Sequence, residues 1–120
     1  MPIAAQNGTV DKKPSIHQQL KIKVGATKRL LKEHGLYGKE AEVQKRKLDE
    51  LIAENAEEWD IKHARRILEE SQRMIKDSDD RLGKAVQELR SIVSSVKNNP
   101  EFEHDEELMK AEEALEEASV

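Results

Sequence analysis

The side chains able to do chemistry in this sequence are few, and their spacing decides against most reactions. Four histidines, His17, His34, His63 and His104, stand far apart, with no pair at the i, i+4 interval that sets two imidazoles on one helical face for a metal ion. His34 falls on an apolar stripe, where a hydrogen-bonded structural histidine is expected. The acidic pairs Glu57-Glu58, Asp79-Asp80 and Glu112-Glu113 lie on polar helical faces or in a loop. Two carboxylates act as acid and base only where a concave pocket gives them unequal environments, and a slim bundle rarely supplies one. Gly35 and Gly38 are too close together for a phosphate-cradling loop and lie within a helical pattern. There is no cysteine, which removes thiol and disulfide chemistry. The residues therefore predict a protein that is not an enzyme and that holds no cofactor and no metal.

The basic residues carry more information. Lys21, Lys28, Lys32, Lys39 and Arg46 follow one another at intervals of seven, four, seven and seven. A heptad period sets all five along one edge of a helix, beside its apolar seam. Like charges at Lys28 and Lys32 work mildly against the isolated helix. Three readings fit such an edge. It is a solvated face, or one neutralised by an acidic helix of the same chain; it is a docking stripe for an acidic partner; or it meets nucleic acid. The last lacks the aromatic and loop residues that read bases.

These residues must be positioned by helices. From Ile61 to Val96 small and apolar residues recur at steps of three and four: Ile61, Ala64, Leu68, Ser71, Ile75, Ser78, Leu82, Ala85, Leu89, Ile92 and Val96. Strands need alternation, so this is one helix of about ten turns whose seam faces other helices throughout. A first helix is expected over 16–53, capped by Ser15, with the stripe Leu20, Val24, Thr27, Leu31, His34, Tyr37, Ala41, Leu48 and Leu51. Gly25, Gly35 and Gly38 interrupt it, and His34–Gly38 is where bending or opening is expected. A short connection leads to a second helix over 60–97, with Asp60 as N-cap and Trp59 stapled onto Ala64. Asp77–Arg81, Asp80–Lys84, Arg66–Glu70 and Glu69–Arg73 can pair along it. After Asn98-Asn99-Pro100 a third helix is expected over 100–118, burying Leu108, Ala111, Leu115 and Ala118. Residues 1–14 lack periodicity and read as a disordered extension. The fold class is all-α: an elongated antiparallel three-helix bundle over 15–120, packed like a coiled coil in the manner of a spectrin repeat.

Composition agrees. Charged residues make up 38% of the 120 and aromatics 2%, as long exposed helices require. Residues 1–47 carry eleven Lys/Arg against four Asp/Glu, whereas 101–120 carry nine acids against Lys110. A basic head and an acidic tail say more than the net charge of −4. No apolar run approaches the roughly 18 residues that cross a bilayer, and MPIAAQNGTVDKKP has no leader-like core. A cytoplasmic protein without membrane contact is expected.

Two stretches go further. Gln19-Leu20-Lys21-Ile22-Lys23-Val24-Gly25 followed by Lys28-Arg29-Leu30-Leu31-Lys32-Glu33 resembles the opening of the tubulin-binding cofactor A (tubulin-specific chaperone A) family, and Tyr37, Lys39-Glu40-Ala41 and Gln44 keep its register. Asp60-Ile61-Lys62, Ile67-Leu68-Glu69-Glu70-Ser71, Met74-Ile75 and Arg81-Leu82 are similar to that family's second helix. The resemblance covers about residues 19–93. It implies a three-helix rod that captures β-tubulin folding intermediates after release from the cytosolic chaperonin and supplies them for assembly with α-tubulin, without nucleotide or metal. Other tubulin-folding cofactors are further implied partners, in a cytoskeleton-associated role. Lys21, Lys28, Lys32 and Lys39 match the family in the basic edge; Arg46 does not match clearly. Lys76 stands where relatives often have proline, which predicts a straighter second helix. The seam suits a monomer or a homodimer, and a generic coiled-coil scaffold or adaptor is the alternative function.

Overall fold

The computed structural model describes residues 12–119, which form three helices and no strand. Helix α1 is Lys12–Ala53, α2 is Glu58–Val96 and α3 is Glu106–Ala118, with a 3-10 turn at Pro100–Phe102 between the last two. Of the extension expected to be disordered, residues 1–11 lie outside the described residues, and 12–14 already belong to α1. Pro14 sits in the first turn, where its missing N–H removes no helical hydrogen bond. Ser15 is therefore inside the helix and caps nothing. Gly25, Gly35 and Gly38 do not interrupt α1, because burial of the seam outweighs their weak propensity. Likewise α2 is uninterrupted through Lys76.

The α1–α2 connection is built by one residue. Asn55 has φ 55°, the left-handed conformation in which asparagine commonly replaces glycine after a helix. It turns the chain so that the Ala56 amide donates to Leu51 O at 3.0 Å and the Asn55 amide to Ile52 O at 3.1 Å. This pairing satisfies the last carbonyls of α1. The Ile61 amide then donates to Glu57 O at 3.1 Å, so α2 starts earlier than expected and Asp60 is not its cap. Asp60 and Glu58 instead occupy the first turn, where negative charge suits the helix dipole. Trp59 is no staple: it is 70% exposed and stacks on His63, with ring centroids 5.4 Å apart and planes 4° from parallel.

The third helix also begins later than expected. Asn99 is extended and accepts from the Glu101 amide at 2.9 Å, which makes Pro100–Phe102 a short 3-10 turn. Asp105, again extended, accepts from the amides of Glu107 at 2.8 Å and Leu108 at 3.2 Å. That cap starts α3 at Glu106 rather than at Pro100.

The chain divides into two compact units. Of the described residues, one takes in those up to Arg29 and from Gly83 onward; the other is Leu30–Leu82. In the first, Leu20 and Val24 of α1 meet Leu89, Val93 and Val96 of α2, with Phe102 and with Leu108, Ala111 and Ala114 of α3. Leu20, Leu89, Ala111 and Ala114 have no exposed surface, and each fully buried leucine contributes about 1.5–3 kcal/mol. The second unit holds α1 and α2 alone, and its buried cluster is Leu48, Ala64 and Leu68, flanked by Leu51 and Ile61. There the helices run antiparallel in one register: His34 bonds Ser78, and fourteen residues further along α1 Leu48 packs on Ala64, fourteen residues back along α2. Every residue of the two expected seams is buried or half-buried.

Candidate functional site

Lys21, Lys28, Lys32, Lys39 and Arg46 are all exposed on α1. Lys21 and Lys28 belong to the first unit, and Lys32, Lys39 and Arg46 to the second. Among the described residues none of the five forms an ion pair. Neutralisation by the acidic third helix, one of the expected readings, is not seen at Lys21 or Lys28. The cations that are paired lie elsewhere. Lys23 donates to Glu88 across the first unit, and the Lys23 hydrogen bond holds that carboxyl below its usual range. Lys45 pairs with Asp49 at 2.8 Å, and Arg81 with Asp77 at 2.7 Å. Arg73 pairs with Glu70 at 2.8 Å rather than with Glu69, and Lys110 with Glu107 at 3.5 Å. The pairs with both partners exposed, Lys45–Asp49, Arg81–Asp77 and Arg73–Glu70, contribute only about 0.2–1 kcal/mol each.

The second unit also carries a surface groove of about 540 Å³ between α1 and α2. Gly38 and Ala41 line its α1 side; Leu68 and Ile75 line its α2 side. Lys45 and Arg46 stand at it with Glu42, the one acid among its lining residues. The cause is in the heptad. Val24, buried in the first unit, is followed at seven-residue steps by Leu31, Gly38 and Lys45, so the seam loses its bulk at Gly38. A Cβ built on Gly38 meets nothing within 4 Å, so neither close packing nor unusual backbone requires glycine there. Sequence reasoning placed Arg46 but missed the groove. The interruption of the heptad at Gly38 was its signal.

Two polar clusters are built of side chains outside the basic edge and the groove lining. His34 Nδ1 lies 2.9 Å from Ser78 Oγ, which itself donates to Ile75 O at 2.9 Å. Because the hydroxyl proton is used on that carbonyl, the imidazole must donate to Ser78. Asp79 Oδ1 stands 4.0 Å from Nε2. This trio is the reverse of an activated nucleophile, whose hydroxyl donates to the base, and Ser78 is 3% exposed. It is a satisfied polar link in the seam, as expected for His34. In the first unit, His17 Nδ1 meets Asp105 Oδ2 at 3.0 Å, tying α1 to the start of α3. Burial raises the Asp105 pKa, but hydrogen bonds from His17 and from the Leu108 and Glu107 amides outweigh it, and the carboxyl is held below its usual range. No group of three His, Cys, Asp or Glu suited to a metal occurs among the described residues. No described helix is long and apolar enough to cross a membrane.

A helical framework with a charged edge, a groove and a satisfied polar interior defines a class of protein that works by presenting surface. Its family is given by comparison with known proteins. The family model described as Tubulin binding cofactor A matches residues 15–115, which carries the likeness past the first two helices into the third. The tubulin-specific chaperone A of Rattus norvegicus is 44% identical over 86 residues, 72% of this chain and 80% of the relative. Among solved structures, human tubulin chaperone cofactor A superposes with a TM-score of 0.75 at 37% identity, covering 88% of this chain and 99% of that one. Tubulin folding cofactor A from Arabidopsis thaliana gives 0.81 at 28% identity, covering 88% and 96%. The chain belongs to the tubulin binding cofactor A family.

Proposed function

We propose that this chain is a tubulin-folding chaperone: it captures β-tubulin folding intermediates released by the cytosolic chaperonin and hands them on for heterodimer assembly. The observation that carries this reading is the family match across residues 15–115, with relatives named as tubulin-specific chaperones or tubulin-folding cofactors. The same likeness favours it over a generic coiled-coil scaffold. The five unpaired cations of α1 support a physical route to capture, since the client must then offer acidic surface. Lys21, Lys28, Lys32, Lys39 and Arg46 steer encounter, and rims of the helices make contact. Binding needs no nucleotide and no metal, takes place in the cytoplasm in the service of the cytoskeleton, and leaves other tubulin-folding cofactors as downstream partners. One copy of the chain engages one client, whether the free protein is a monomer or a homodimer.

The test is size-exclusion capture of freshly released β-tubulin at low and moderate salt. A discrete complex that weakens as salt rises is expected. Capture that is untouched when Lys28, Lys32 and Lys39 are together changed to glutamate would remove the basic edge from the mechanism.

A further inference from the structure

We propose that the groove at Gly38 and Ala41 receives the apolar face of an acidic amphipathic helix of the client, so that the client supplies the third helix that the Leu30–Leu82 unit lacks. This deepens the proposed function and rests on it.

The first argument is the chain's own third helix. In the first unit, α1 and α2 are joined by α3, which is itself an acidic amphipathic helix: over Glu106–Ala118 it carries six glutamates against one lysine. Its buried Leu108, Ala111 and Ala114 enter the cluster of Leu20, Val24, Leu89, Val93 and Val96. The second unit is built from continuations of the same two helices, and no third segment of the described chain belongs to it. The molecule thus shows, in one unit, what kind of element this pair of helices accepts.

The second argument is shape. Where α3 finds Val24, the heptad equivalent two repeats on is Gly38, and the space that results is a groove of about 540 Å³ with Leu68 and Ile75 on its far side. A volume in this range takes several apolar groups together rather than a single methyl. Helices laid into such grooves do so through residues at i, i+3 or i+4, and i+7.

The third argument is charge. Within the second unit, residues 30–47 of α1 carry five Lys/Arg against three glutamates. Residues 62–76 of α2 carry five Lys/Arg against two. The stretches of both helices that carry the groove are therefore net basic; of its charged lining residues, Lys45 and Arg46 stand against Glu42, and Arg46 has no ion pair among the described residues while Lys45 is engaged with Asp49. An acidic helix matches this rim and a basic one is repelled.

The test fills the groove. Gly38→Leu adds a large side chain where a Cβ meets nothing, and it exchanges a poor helix former for a good one, so the protein stays folded. The expected result is a melting temperature equal to or above that of the unmodified chain together with β-tubulin capture weakened by about tenfold or more. Ala41→Leu, filling the same groove from the neighbouring turn, is expected to do the same. Gly35→Leu makes the same change of propensity at an exposed position outside the groove lining, and its capture is expected to be unchanged. If both filled variants capture β-tubulin as tightly as the unmodified chain, the groove proposal is overturned while the chaperone reading stands. If the unmodified chain captures no β-tubulin, both fall together.

Discussion

The two units are built from the same pair of helices and differ in what covers them. In the first, α3 closes the seam and nine side chains form one buried cluster. In the second, only Leu48, Ala64 and Leu68 form a buried cluster, and the seam opens into a groove where Gly38 and Lys45 take the place of apolar residues. The interruption is local and does not lie in the helices, which are continuous. Buried apolar residues are therefore concentrated in the covered unit, while the uncovered one leaves Leu68 and Ile75 at an open groove beside the unpaired Arg46.

The contrast can be broken most severely in the core. Leu89→Ala, at a residue with no exposed surface, is expected to cost about 3–5 kcal/mol. Leu48→Ala, 7% exposed in the thinner cluster, is expected to fall near 2 kcal/mol because its surroundings can collapse. Urea titrations of the two variants compare them directly; equal losses would mean that the units are equally consolidated.

Next comes the tie between α1 and α3. Asp105→Ala removes the acceptor for the Glu107 and Leu108 amides and for His17, and is expected to cost about 1–2 kcal/mol at neutral pH. The Asp105 carboxyl is held below its usual range in the folded chain, so the unfolded chain takes up its proton first. Its contribution is then present above the ordinary aspartate range and is lost as the pH falls through the lowered folded value. Comparing urea midpoints at neutral and at acid pH should show the Asp105→Asn variant losing less on acidification than the parent. An identical acid loss would remove Asp105 from the account of α3 docking.

Smaller effects sharpen the comparison in the second unit. Gly38→Ala and Gly35→Ala should each raise stability by about 0.5–1 kcal/mol, since neither position is crowded and both are helical. A loss in thermal melts would reveal a strain that the open space around them does not suggest. Asn55→Gly should change stability least, by a few tenths of a kcal/mol in the stabilising direction, because the turn needs the left-handed conformation that glycine adopts freely. A clear loss there would show that the asparagine side chain itself holds the loop.

Much of this architecture was readable in the residues because a seam is periodic and burial follows it. The periodic positions from Ile61 to Val96 in α2, and from Leu20 to Leu51 in α1, are the ones buried or half-buried. Boundaries were less legible. Ser15 and Asp60 are good cap types, yet both lie inside their helices: α1 is already helical at Lys12, and α2 starts at Glu58 after the turn at Asn55. Trp59 was misplaced because a large apolar residue need not be inside; only the position of the helix start puts it on the open face beside His63. The expected inward positions of the third helix, Leu108, Ala111, Leu115 and Ala118, are buried or half-buried, and Ala114 joins them; Phe102 is buried from the 3-10 turn that precedes the helix, which a purely helical pattern does not contain. For the candidate site, the five basic residues were visible as a spacing. The groove needed the register that sets Gly38 and Ala41 opposite Leu68 and Ile75, which no single helix contains.

The most direct measurement is hydrogen–deuterium exchange of the full chain, alone and in complex with freshly released β-tubulin. Alone, amides of residues 30–82 should exchange faster than those of the α3-covered unit. In the complex, new protection should appear in residues 30–47 and 62–76, the net basic stretches that carry the groove. Protection confined to residues 83–119, with 30–82 unchanged, would contradict the assignment of the uncovered unit as the receiving surface.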